Sequence, residues 1–106
     1  MGTDDTTDRL GAIAPGRLSE RLREGLRGHH LLFEEEAIRE AFAGPDRAVS
    51  REDADEVGRV LLAICREPLP SARHAVDGLS SSARVSLIRL YFRLLERAEE
   101  ESGHRH

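Results

Sequence analysis

The stretch from Val85 to Ala98 constrains this chain more than any other. At about 100° per residue, Val85, Leu87, Ile88, Leu90, Tyr91, Phe92, Leu94, Leu95 and Ala98 sweep an arc of about 220°. Ser86, Arg89, Arg93, Glu96 and Arg97 occupy the remaining side. A helix on the surface of a globular protein needs an apolar stripe of only about 100°. The spacing therefore predicts a last helix, capped by Ser80, Ser81 or Ser82 and running to about Glu101, that lies in the middle of a bundle or meets another subunit.

The remaining apolar residues also recur at helical spacing. Leu18, Leu22 and Leu26 share one face of a helix over about 17–27, with Gly28 as its C-cap. Phe33, Ala37, Ile38, Ala41 and Phe42 mark a second helix over about 33–43, stopped by Gly44-Pro45. Its first turn carries Glu34, Glu35 and Glu36, where carboxylates meet the positive end of the helix dipole. Ser50 with Asp53 resembles a capping box for a third helix, whose stripe is Ala54, Val57, Val60, Leu61 and Ile64 and which Pro68 and Pro70 end. A short helix over 71–77 precedes the last one. No segment alternates with period two. The expectation is an all-α compact bundle of four longer helices and one short helix. Residues 16–101 form the domain, 1–15 a flexible leader and 102–106 a frayed tail.

Composition bounds the function. The 106 residues suit one small domain. Every basic residue is arginine, and Lys and Asn, which need AT-rich codons, are both absent, which points to a GC-rich bacterial coding sequence. A formal net charge of -4 gives no overall attraction to nucleic acid or anionic membrane. Cys65 is the only cysteine, so it has no disulfide partner within the chain. With no apolar leader run, this predicts a cytoplasmic protein.

Few residues suggest chemistry. Aligning the segment after Ala41 on a calcium loop puts Phe42, Gly44 and Asp46 at the first three ligand positions and Arg47 at the obligatory glycine, so that reading fails. His29, His30, His74, His104 and His106 show no spacing that brings three or four ligands together, and no metal or other cofactor is expected. Cys65 and the serines at 80–82 have no base assigned to them by sequence. An enzyme is not expected.

Association with protein is the leading expectation. Leu87, Leu90 and Leu94 border the polar arc of the last helix, and Leu62 sits off the main stripe of its own helix. Arg89, Arg93 and Arg97 recur every four residues beside them and supply charge complementarity. The predicted role is a small regulator or adaptor that binds a protein partner or a second copy as a homodimer, with no role at a membrane. The alternative is a helix-turn-helix-like DNA-binding regulator using residues 71–97, in which Arg84 and the arginine ridge meet phosphates. Against it, a recognition helix exposes its outer face, and this helix is apolar over most of its girth.

Overall fold

The computed structural model describes residues 17–46 and 48–103, with side chains through residue 100. Its described residues form five helices and no strand: α1 (Arg17–Leu26), α2 (Glu35–Ala43), α3 (Arg51–Arg66), α4 (Leu69–Asp77) and α5 (Ser81–Gly103). The expected leader at 1–15 lies outside the described residues. Of the expected tail, residues 102 and 103 continue α5, and 104–106 lie outside the described residues.

Each helix boundary has a local cause. α1 ends in a Schellman motif: the Gly28 N–H donates to Gly25 O at 2.9 Å and the His29 N–H to Glu24 O at 2.9 Å. This geometry needs a left-handed residue, and Gly28 supplies it with φ of 88°. α2 begins at Glu35 rather than near Phe33. Phe33 stays outside the helix, and the residue is buried in the core, 7% exposed. α3 starts at Ser50, whose Oγ accepts the Asp53 N–H at 3.1 Å. The reciprocal half of the capping box is replaced, because the Asp53 carboxylate accepts the Ser82 hydroxyl from α5 at 3.0 Å. Pro68 ends α3, whereas Pro70 lies inside the first turn of α4, where its missing N–H costs nothing.

α5 is the central element, with α1, α2 and α3 all packed on it. α4 packs on α3. The wide apolar arc is thus covered largely by this chain's own helices. Leu22, Ile64, Val76, Leu87 and Ile88 are fully buried. Each such side chain contributes about 1.5–3 kcal/mol relative to exposure. An exposed ion pair such as Arg39–Glu35, at 2.7 Å, contributes about 1 kcal/mol at most. Apolar burial therefore decides the fold, and the charges decorate it.

The tightest approach lies between α1 and α5. Gly25 is buried, and a Cβ there would overlap the Tyr91 hydroxyl and lie 3.0 Å from a Leu95 methyl. Tyr91 anchors an aromatic cluster. The His30 ring stands edge-on to it, with centroids 5.6 Å apart, and Phe33 and Phe92 meet it at 5.1 and 5.0 Å. His30 Nδ1 lies 2.9 Å from the Tyr91 hydroxyl, which donates to it when the ring carries its proton on Nε2. Burial pushes the His30 pKa down and the Tyr91 pKa up to about 12.

Candidate functional site

One face of α5 is not closed by another helix. A cleft of about 650 Å³ opens between α3 and α5, with the α2–α3 connection along one side. Side-chain size explains the space. Ala54 and Gly58 are four residues apart on α3, and Ser82 and Ser86 are four apart on α5, so small residues line both walls. Gly58 does not bring backbones together here, since a Cβ built on it meets nothing within 4 Å. Val57, Leu61, Val85 and Leu90 give the cleft its apolar lining. Glu40, Asp46, Asp53 and Arg93 supply charge around it.

Three sets of polar contacts hold the cleft open and in shape. The first turns of α3 grip the start of α5: the Ser80 N–H and hydroxyl both donate to the Glu56 carboxylate at 3.1 Å, and the Ser82 hydroxyl donates to Asp53. Ser80 Oγ also caps α5 by accepting the Ala83 N–H at 3.3 Å. On the other side, Arg89 fastens the α2–α3 connection to α5. Its Nε donates to Ala41 O at 2.8 Å, one terminal nitrogen to Gly44 O at 3.0 Å and the other to the Asp46 carboxylate at 2.6 Å. Its guanidinium also stands over the Phe42 ring, 5.9 Å from the centroid. The last turn of α2 contains no basic residue, so Arg89 supplies from α5 the cation that its C-terminus lacks.

The residues expected to bind a partner divide into three groups. Leu90 and Arg93 line the cleft, and Arg93 is exposed. Leu62 is 53% exposed, one turn beyond Gly58 on α3; Leu94 is half-buried, one turn beyond Leu90; and Arg97 is exposed, one turn beyond Arg93. These three extend the Leu61–Leu90 end of the cleft. Leu87 and Arg89 are corrections. Leu87 is 1% exposed and faces Leu18 and Ile64, because α1 and α3 cover that flank of α5. Arg89 is engaged by backbone carbonyls and Asp46, with its side chain 14% exposed, so it shapes the site rather than offering a free charge.

Other groups singled out by sequence are dispersed. Arg84 donates to Asp77 O and Leu79 O at 3.1 Å, closing the α4–α5 corner. With Arg89 also engaged, only Arg93 and Arg97 of the expected phosphate-facing arginines point outward. Asp55 and Arg59, four residues apart, and Arg93 and Glu96, three apart, stand at spacings that favour ion pairs on a helix, yet neither pair forms within 4.0 Å among the described residues. His29 is exposed and bonded to Glu24 at 3.0 Å, and this bond holds the Glu24 carboxyl below its usual range. Among the described residues, no three His, Cys, Asp or Glu side chains are placed to hold a metal. No helix among them is long and apolar enough to cross a membrane.

Periodicity missed the second wall of the cleft. Ala54 belongs to the expected stripe of its helix, but Val49 and Gly58 fall outside any stripe, because Val49 precedes the helix and a glycine carries no apolar side chain. The available signal was Ala54, Gly58 and Leu62 at steps of four down α3: a mid-helix glycine costs about 1 kcal/mol against alanine, and no turn requires this one. In comparisons with known proteins, the chain matches no family model, no curated protein and no solved structure.

Proposed function

We propose that this chain is a non-enzymatic protein-interaction module of the regulator or adaptor kind, and that the α3–α5 cleft receives an apolar segment of a partner protein. The observation that carries this reading is the cleft itself. It has about 650 Å³ of open volume with an apolar lining continuous with the core through Leu61 and Leu90. Concave apolar surfaces of this size are where proteins take ligands and peptide anchors. The size and shape suit an amphipathic segment whose large side chains enter between the two small-residue walls. Arg93 and Arg97 favour carboxylates at the partner's flank on that side. Arg84 and Arg89 are spent inside the fold, which leaves the DNA-binding alternative without comparable support.

A photo-reactive residue at Ser86, incorporated in cells, tests the proposal. The expected result is one dominant covalent adduct to an apolar peptide segment, absent when the probe replaces Arg73 on the exposed side of α4. The adduct should vanish in Gly58→Glu, which places a charged side chain in the cleft at a position where a Cβ meets nothing within 4 Å. Equal labelling from Ser86 and Arg73, or an adduct indifferent to Gly58→Glu, would dispose of the cleft as the binding surface. If the adduct is to a second copy of this chain, light scattering will show a dimer that Gly58→Glu dissociates.

A further inference from the structure

α3 and α5 begin at the same end of the cleft and run in the same direction. At that end the Ser82 hydroxyl donates to Asp53. Eight residues on in each helix, Leu61 and Leu90 line one internal gap. Equal steps at 1.5 Å per residue carry both walls about 12 Å, so they stay level with each other. From Ser82 to Arg93 the α5 wall is about 16 Å long, which matches about 11 residues of helix.

A helix suits this groove better than extended chain does. Both walls are helices whose backbone groups pair within them, so no strand edge is open to a partner's amides. Extended chain laid on Val57, Leu61, Val85 and Leu90 would bury unpaired backbone groups, at a cost that a helix avoids. The walls also have the right step: Ala54 and Gly58, and Ser82 and Ser86, are four residues apart, and the ridges of a third helix at that same spacing pack between them.

The charges give the groove a direction. Asp53 stands where both walls begin, and Arg93 lines the far end. Between them Arg89 and Asp46 neutralise each other. Glu40 adjoins Ala41, whose carbonyl Arg89 holds, so it lies beside the middle of the groove and favours neither end. Neither Asp53 nor Arg93 makes an ion pair among the described residues. Glu96, one turn beyond Arg93, lies about 60° round α5 from it, toward the Val85 side and away from Leu90. Helix dipoles favour the same direction. Both walls present their N-termini at the Asp53 end, and an antiparallel third helix brings its negative end there. Helices favour carboxylates in the first turn and cations in the last. In the antiparallel direction the carboxylates meet Arg93 and the cations meet Asp53. Among this chain's described helices, only α1 and α3 carry that charge order, and both turn their apolar faces into its own core, so a second copy has none to offer.

Given the role of the cleft proposed above, on which this rests, we propose that its occupant is an amphipathic helix of about three turns from a different protein. It lies antiparallel to α3 and α5, with acidic residues of its first turn at Arg93 and basic residues of its last turn at Asp53.

The test is selection on the purified full chain from phage-displayed helical segments. Each has leucines at i, i+3 and i+7; its first and last turns are free to be Glu, Lys or Gln, and one outward middle position is Ala or Pro. The expected enrichment is Glu first, Lys last and Ala over Pro, all above a Gly58→Glu background. Arg93→Glu alters an exposed side chain and should switch the first-turn preference to Lys while leaving the last turn unchanged. One exposed charge pair supports a preference of about two- to fivefold. A first-turn preference indifferent to Arg93→Glu would reflect helix propensity alone and would overturn the proposal. So would a switch in the last turn instead, which marks the parallel direction, or enrichment of Pro, which marks an extended occupant. A dimer dissociated by Gly58→Glu would make the occupant a second copy, and no selection above background would remove the helix altogether; the proposal fails in both cases. A Ser86-specific cross-link found beside any of these failures would leave the proposed function standing.

Discussion

Alanine at Gly25 and at Gly58 should move stability in opposite directions. Both glycines lie inside helices, where Gly→Ala by itself stabilises by about 1 kcal/mol. At Gly58 the new methyl meets nothing within 4 Å, so the propensity gain survives, at about 0.5–1 kcal/mol. At Gly25 the methyl overlaps the Tyr91 hydroxyl and presses on Leu95 at 3.0 Å. Overpacking a filled site costs about 1–3 kcal/mol. Displacing the hydroxyl also breaks its bond to His30, with a further cost of about 0.5–1.5 kcal/mol. Set against the helix gain, Gly25→Ala should be about 1–3 kcal/mol less stable than the parent. For a domain of this size, 1 kcal/mol moves Tm by about 4–8 °C, so the two variants should melt on opposite sides of the parent. Urea unfolding followed by circular dichroism measures both free energies. Tyr91 is the only tyrosine and there is no tryptophan, so intrinsic fluorescence reports the disputed contact directly. In a double-mutant cycle, Tyr91→Phe should relieve part of the Gly25→Ala penalty, with a coupling of about 1 kcal/mol. Equal stabilisation by both alanines, or zero coupling to Tyr91, would mean that α1 does not meet α5 in this way.

Other expectations follow from the same geometry. Leu87→Ala should cost about 2–5 kcal/mol, whereas Leu62→Asp should change stability by less than about 0.5 kcal/mol, both read by denaturant unfolding; the reverse order would exchange the core and surface assignments of the two leucines. Arg89→Lys should lower Tm and speed amide exchange at Ala41 to Asp46, because an ammonium cannot serve three acceptors in a guanidinium fork; unchanged exchange there would remove Arg89 as the anchor of the α2–α3 connection. His30 has its folded pKa below the ordinary value of 6.5, so its contribution is full above about pH 6.5 and is lost as the pH falls through the folded value. His30→Leu should therefore flatten the decline of Tm between neutral and mildly acidic pH. The Tyr91 phenol, raised to about 12, contributes stability below its ordinary pKa of 10.0 that is lost as pH rises through about 12; ultraviolet titration should show ionisation well above that of free tyrosine.

Residue order alone places the helices and the inward faces of most of them. Its information is periodic, and burial imposes a period. Leu18 and Leu22, Val57, Val60 and Ile64, and Leu87, Ile88, Tyr91, Leu95 and Ala98 are in the core because no other face of their helices is apolar enough to be there. The failures are equally physical. Pro70 opens a helix instead of closing one, since the position of a proline within a turn depends on where the preceding chain goes. Phe33 leaves its expected helix because the Tyr91 cluster offers its ring a better site than helical backbone would.

Packing between helices selects which flank of α5 stays open. Leu87 and Leu90 look alike in a helical projection, but α1 and α3 close over the first and the small residues of α3 and α5 leave room beside the second. Arg89 and Arg93 are one turn apart on one ridge. The carbonyls at the end of α2 claim the first, and solvent keeps the second. Periodicity fixes the direction in which a side chain points from its own helix. What it meets there depends on the packing angle and length of the neighbours, and those are set by contacts distant in the chain.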